Sequence, residues 1–279
     1  MDRQTGSRTS TFRSRAIIER EIEIGSHKYQ IVSDDEYLER MGSIFEPHLV
    51  ALFQSLIQKT FRVLDVGANI GCTSLLFGQL SQEVVSFEPS PSTFKFLSTN
   101  VKNSNHLNIE VKNFGLGAEK ANLALTYAPN NRSGAFVSDK LQASAGHNIE
   151  EIEIRKGDDC VSNGLVHLIK IDVEGFEKEV LKGLHRTIEQ DHPIVVLELN
   201  HWCLNAFQRI TVPDFFDFLL GIFPILYAVD VDNYLDLHNA SSRYIVMYEH
   251  INRFRFPNLV GAFSPIQLES FLAQFRFGQ

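Results

Sequence analysis

The sequence predicts an α/β protein built around a doubly wound, mostly parallel sheet, and three observations carry that expectation. Strand-type apolar runs alternate with helix-type patterns from residue 61 to residue 116. The first run, Val63-Leu64-Asp65-Val66, opens into the turn Gly67-Ala68-Asn69-Ile70-Gly71, which leads directly into a helical pattern. Two later runs, 165–172 and 193–200, are apolar along their length yet finish in acids and amides. Buried parallel strands read this way when their carboxyl ends face a ligand.

The elements follow in order. Residues 1–20 hold five arginines among Ser and Thr and lack the apolar segment of a secretory signal. That composition fits a transit peptide or an unstructured tail, and the tail is the expectation. Residues 21–33 alternate around Gly25-Ser26, a small hairpin expected to cover one side of the ligand pocket. Leu49, Val50, Phe53, Leu56 and Ile57 recur at helical spacing behind Pro47, which suits a first helical turn. Residues 21–60 are therefore a hairpin and helix extension ahead of the main domain.

The first strand, 61–66, is followed by a helix carrying Leu75 and Leu76, a second strand at 84–87, a helix opened by Pro91, and a third strand at 109–116. The order then breaks for almost fifty residues. Strand-type runs at 123–127 and 151–154 flank a Gly/Ser/Asn-rich segment from Pro129 to Asn148. An insertion of this length is expected to line the acceptor pocket. A fourth strand at 165–172 precedes an amphipathic helix through Phe176, Val180, Leu181, Leu184 and Ile188, and a fifth strand spans 193–200. A helix near 214–220 and strands near 224–230 and 243–249 fit an antiparallel closing hairpin, ending the main domain, 61–250. The remainder, 251–279, is a C-terminal extension whose stretch 264–275 has helical periodicity.

Composition narrows the function. The formal net charge of −8 argues against a nucleic-acid partner, because such binding rests on basic neutralisation of phosphates. Cys72, Cys160 and Cys203 are odd in number and have no metal-ligand spacing, which suits a reducing, cytoplasmic setting. No run is long and unbroken enough to span a membrane; the nearest, 212–229, holds Asp214 and Asp217 and is interrupted by Pro213 and Pro224. The oligomeric state is not legible.

The glycines carry the first chemical argument. A residue without Cβ tolerates the tight turn and the close approach of a ligand, and the amides of the following helix face that ligand. Gly67 and Gly71 are four apart with Asp65 two residues before them, unlike the G-x-G-x-x-G of a dinucleotide fold. This spacing resembles the Asp-x-Gly-x-x-x-Gly motif of the S-adenosylmethionine (SAM)-dependent methyltransferases. The resemblance implies a Rossmann-like, class I fold with a seven-stranded sheet. It implies that Asp65, Gly67, Ala68, Asn69 and Gly71 hold the methionine end of SAM, and that Glu88, with Pro89, takes the ribose hydroxyls.

A second motif sharpens the family. A two-residue period puts Lys170, Asp172 and Glu174 on one side of the fourth strand, and Val196, Glu198 and Asn200 on one side of the fifth. The stretch Ile169-Lys-Ile-Asp-Val-Glu-Gly-Phe-Glu177 resembles the Lys-x-Asp-x-Glu-Gly-x-Glu signature of the FkbM-type methyltransferases. Asp158-Asp159, Asn130-Asn131-Arg132-Ser133-Gly134 and the strand of Glu198 match that family's layout, so the likeness covers about residues 45–200. It implies methyl transfer to a hydroxyl of a sugar-containing or secondary-metabolite acceptor. An alcohol attacks a methyl sulfonium well only as its proton leaves, so a carboxylate base is needed. Asp172 and Glu174 are the candidates, with Lys170 near enough to neutralise one of them. Alternatively they hold the cofactor ammonium or cap the following helix. Asp172, Glu198 and Asn200 together offer hard oxygen ligands for Mg²⁺. His201 and His147 are alternative bases, and Trp202 packs in the core or stacks on a sugar. The competing functions are methylation of another small-molecule or protein nitrogen, and a non-catalytic SAM-binding protein on the same fold; a nicotinamide dehydrogenase is disfavoured by the glycine spacing.

Overall fold

The computed structural model describes residues 16–128, 131–137, 147–161 and 164–278. The hairpin of β1 (Ile18–Ile24) and β2 (His27–Ser33) turns on Gly25, whose φ of +62° few other residues adopt. β1 begins inside the segment expected as tail; residues 1–15 of that segment lie outside the described residues. Two helices follow, α1 (Glu36–Arg40), capped by Asp35, and α2 (Pro47–Leu56).

The doubly wound unit then runs β3 (Arg62–Val66), α3 (Cys72–Leu80), β4 (Glu83–Phe87), α4 (Pro91–Asn103) and β5 (Ile109–Lys112). The expected third strand, 109–116, is two strands. β5 stays in the main sheet, while β6 (Gly115–Gly117) joins β7 (Ala121–Ala128), β8 (Asn131–Val137) and β9 (Asn148–Lys156) in a separate sheet ordered β6-β9-β7-β8. β8 falls in the polar segment expected to be irregular, and its weak alternation is the reason it was not legible.

The chain returns through α5 (Gly157–Cys160) to β10 (Leu168–Ile171), α6 (Glu177–Gly183), α7 (His185–Asp191) and β11 (Ile194–Glu198). Next come α8 (His201–Cys203), a π-helical turn at Leu204–Gln208, α9 (Val212–Leu220), β12 (Ile225–Asp230), β13 (Asn233–Asp236) and α10 (Ala240–Arg253). β14 (Asn258–Ala262), a 3₁₀ turn at Pro265–Leu268, α11 (Glu269–Gln274) and β15 (Arg276–Phe277) complete it.

The main sheet has nine strands ordered β15-β13-β12-β14-β11-β10-β3-β4-β5, not seven. Five strands, β11-β10-β3-β4-β5, are mutually parallel and run to the β5 edge, and β14 inserts antiparallel between β11 and β12. Two expectations are corrected here. Residues 243–249 are helical, because Asn239 caps the Ser241 and Ser242 amides and Val246 and His250 recur on one buried face. The closing strand lies instead at 258–262, inside the segment expected as an extension, so β14 makes that segment part of the sheet.

Strand periodicity decides the layers. Val63, Leu168, Ile194 and Val196 pack on one face beneath the hairpin, α2, α3, α4 and α11. Leu64, Ile169, Ile171, Val195 and Leu197 pack on the other against α6, α7 and α9. Both faces are covered, so the parallel strands carry apolar side chains on both sides, and their carboxyl ends meet at one edge.

Candidate functional site

The β3–α3 turn sets the site. Gly67 has φ +80°, and a Cβ there would lie 1.8 Å from the Asp172 carbonyl oxygen. Only glycine lets the tips of β3 and β10 approach so closely. The Gly67 and Ala68 amides both donate to the Phe87 carbonyl at 3.0 Å, tying the turn to the end of β4. Gly71 has φ +99°, with Leu97 Cδ1 only 2.9 Å from where a Cβ would stand, and Asn69 between the glycines is also left-handed at φ 50°.

Asp65 is fully buried beneath this turn. Its Oδ2 accepts from Thr73 Oγ1 at 2.8 Å and Ser74 Oγ at 2.7 Å, and its Oδ1 lies 3.3 Å from Lys170 Nζ. It lines neither of the two cavities that open beside the turn. The acid thus fixes the start of α3 and holds Lys170.

The first of these cavities lies on the β4 side and holds about 750 Å³ of space that is partly open to solvent. Glu88 and Pro89 line it together with Leu116, Ile154 and Phe176. Glu88 Oε2 accepts the Asn69 amide at 3.0 Å and Oε1 the Ser90 amide at 2.9 Å. Each oxygen keeps a further lone pair for a ligand hydroxyl. Burial pushes the Glu88 carboxyl up to about 7, against these two amide bonds. The insertion lines this cavity through Leu125, Arg132, Ala135 and Ile152. It therefore stands on the Glu88 side of the strand tips; residues 138–146 lie outside the described residues. Arg132 pairs with Asp34 and lies 3.7 Å from Asp35, fastening the insertion to the start of α1.

The second cavity, about 780 Å³, extends over β10 and β11. Gly67, Asn69 and Asp172 line both cavities, so the two meet at the strand tips. The N-terminal extension contributes to the second through Tyr37, Phe45, Glu46 and Leu49. The hairpin itself lines neither cavity; it packs on α3 and α4, where Gln79 Nε2 donates to the Ile24 carbonyl and Asn100 Oδ1 accepts the Val32 amide.

At the junction Lys170 Nζ donates to the Gly67 carbonyl at 2.7 Å and lies 3.4 Å from Asp172 Oδ2. Burial pulls its ammonium pKa down, but Asp172 and Asp65 outweigh that and hold it above the usual value. Glu174, left-handed at φ 52° before Gly175, accepts from Asn200 Nδ2 at 2.8 Å and Cys203 Sγ at 3.2 Å. Burial and the Asp172 charge push its carboxyl up to about 7. Glu198 lines the second cavity, its pKa raised well above the ordinary range by burial and by Asp172 and Glu174.

Sequence reading assigned no role to Glu177, the last acid of the second motif. It is fully buried, accepts the Gly175 amide at 3.0 Å, and is pushed by burial up to about 7. Its position three residues after Glu174 was the available signal. Tyr37 and Glu46 were missed because the pattern around them indicated only packing. Asn200 is occupied otherwise than expected: its Oδ1 accepts the Cys203 amide and its amide nitrogen donates to Glu174. Among the described residues no three His, Cys, Asp or Glu side chains are grouped to hold a metal ion; of the Mg²⁺ candidates, Asp172 and Glu198 line the second cavity and Asn200 lines neither. His201 and His147 line neither cavity; His201 packs edge-on to His250 at 5.0 Å. Trp202 is not in the core: it is 58% exposed and edge-on to Phe207, which stacks on Phe136 of β8 at 3.7 Å. Among the described residues no helix is long and apolar enough to cross a membrane.

Comparison with known proteins matches these elements. Methyltransferase 1 of Beauveria bassiana is 29% identical over 143 residues, 44% of this chain and 57% of that protein. Hexuronic acid methyltransferase AglP of Haloferax volcanii is 30% identical over 135 residues, 47% of this chain and 53% of that protein. The chain thus spans little more than half the length of these curated relatives. Among solved structures, methyltransferase FkbM from Methylobacillus flagellatus KT aligns with a TM-score of 0.43 at 19% identity, covering 61% of this chain and 42% of that one. The model of the methyltransferase FkbM domain matches residues 65–235, from Asp65 at the end of β3 into β13. That span is more than half of the 279 residues, and the chain belongs to the methyltransferase FkbM domain family.

Proposed function

We propose that the protein transfers a methyl group from SAM to a hydroxyl of a sugar-containing or secondary-metabolite acceptor. The observation that carries this reading is the meeting of two cavities at Asp172, one containing a buried acid suited to ribose and the other lined with acids. The donor set fits such a cofactor: Glu88 retains acceptor capacity for two vicinal hydroxyls, and Asp172, Glu174 and Glu198 suit a cationic ligand. Bound there, SAM supplies a methyl group already activated on a sulfonium.

The chain's own residues then do three things. Glu88 accepts the ribose hydroxyls while Leu116, Ile154 and Phe176 enclose an apolar ring. Lys170 fixes the Gly67 carbonyl and Asp172 together, so the strand tips keep their spacing. Asp172, shared by both cavities and 43% exposed at its side chain, is placed to take the proton of the acceptor hydroxyl. Glu174, oriented by Asn200 and Cys203, stands beside it in the Glu88-side cavity. A positioned base of this kind contributes about 10²- to 10⁴-fold. The relative named as a hexuronic acid methyltransferase supports a sugar acceptor.

The test is transfer of labelled methyl from SAM to a panel of glycans and glycosides. Wild-type protein is expected to label at least one, and Asp172→Asn to lower the rate by at least about 100-fold while SAM affinity persists. Transfer by the variant at the parent rate would remove Asp172 from the role of base.

A further inference from the structure

The family match begins at Asp65, yet the wall of the second cavity is completed by residues before it, Tyr37, Phe45, Glu46, Leu49 and Phe53. Among these Glu46 has an unusual conformation. It stands at the cap position of α2 with φ 24° and ψ 73°, outside the regions ordinary side chains prefer. Its backbone carbonyl begins the helix by accepting the Val50 amide at 3.0 Å, but its carboxylate makes no capping bond. Nor does that carboxylate have a hydrogen-bond or ion-pair partner among the described residues. Non-glycine strain of this kind persists where the surroundings hold it, and gathers at binding sites.

Two other acids near the cavity, Asp65 and Asp172, are engaged. Asp65 holds Thr73, Ser74 and Lys170; Asp172 lies beside Lys170. Glu198 lines the same cavity from β11 with its Oε2 buried and without a hydrogen-bond partner among the described residues, and burial first, then the Asp172 charge, raises its pKa. Glu46 is an exposed residue whose side chain borders the cavity; burial of the carboxyl first and the Asp172 charge second raise its pKa, and the Lys170 charge opposes them. A cation arriving in the cavity would relieve both penalties. The cavity is also lined by Gly67, Ala68, Asn69 and Ile70 of the turn, which places Glu46 within the same enclosure as the glycine turn and away from Glu88, in the other cavity.

We propose that Glu46, from the N-terminal extension, binds the α-ammonium of the amino-acid arm of the cofactor and so makes the extension part of the cofactor site. This rests on the reading of the two cavities as one SAM site. The ammonium donates to the Glu46 carboxylate, a charge-assisted hydrogen bond, while the nucleoside remains with Glu88.

Calorimetric titration of the full chain with two probes tests it. S-adenosylhomocysteine carries the ammonium; 5′-methylthioadenosine has the same nucleoside and no amino-acid arm. Glu46→Gln is expected to weaken S-adenosylhomocysteine by about tenfold or more and to leave 5′-methylthioadenosine unchanged, the second result also showing that the variant is folded. Equal S-adenosylhomocysteine affinity in variant and parent would overturn the assignment to Glu46 alone. Equal losses for both probes would overturn it too, by giving Glu46 a structural role. If the parent chain binds neither probe, the SAM reading itself fails and the inference falls with it.

Discussion

At Gly67 the absence of one methyl group lets two strand ends meet. A Cβ there would overlap the Asp172 carbonyl at 1.8 Å, and the backbone is already left-handed. Gly67→Ala is therefore expected to cost at least about 2 kcal/mol of stability, read from urea denaturation, and to abolish cofactor binding. A stable, binding-competent alanine variant would show that the β3 and β10 tips separate freely. The acids around this point titrate together. Burial holds Glu88, Glu174 and Glu177 at about 7, so between about pH 4.5 and 7 they are protonated in the folded chain and ionised in the unfolded one. The folded state binds more protons across that window, and ligand-free stability falls as pH rises through it. The affinity for cationic SAM should rise over the same range. Denaturation midpoints and titrations at pH 5 and pH 8 check both signs; a midpoint that climbs with pH would contradict the buried-acid picture.

At the scale of elements, motif residues divide between chemistry and construction. Asp158, part of the family-like layout, accepts the Arg186 and Thr187 amides and the Thr187 hydroxyl, and so caps α7 far from either cavity. Asp158→Ala should lower stability by about 1–2 kcal/mol with cofactor affinity intact, measured by denaturation and titration in parallel. Loss of affinity without loss of stability would give Asp158 a role in binding. The apolar strands β3, β4, β10 and β11 were legible because period and burial agree on both sheet faces. The 243–249 helix was not, since Tyr, Ile and Val in one short run suit a strand equally well until the Asn239 cap is seen. β8 escaped for the converse reason, a polar sequence recruited by pairing with β7.

Across the whole molecule the site is distributed between a legible half and one that only packing reveals. Asp65, Gly67, Glu88, Lys170, Asp172 and Glu174 could be picked out because their spacing repeats a family pattern. The sequence did not indicate that Asp65 would be buried below the site, or that Asn200 would be bonded to Glu174. Tyr37 and Glu46 reach the cavity only because the extension folds over β10 and β11, a long-range contact with no local signature. A ligand that binds the folded chain alone at about a hundred times its dissociation constant adds about 2.7 kcal/mol. SAM should therefore raise the melting temperature where NAD does not; stabilisation by NAD alone would favour a dinucleotide site.

The most direct measurement is the affinity of SAM for the parent chain and for Glu88→Ala, with folding of the variant verified by its melting curve. Stoichiometric binding by the parent and a loss of about tenfold or more in the folded variant are the expected results. SAM binding that is indifferent to Glu88, or absent from the parent, would contradict the placement of the cofactor ribose at the tip of β4.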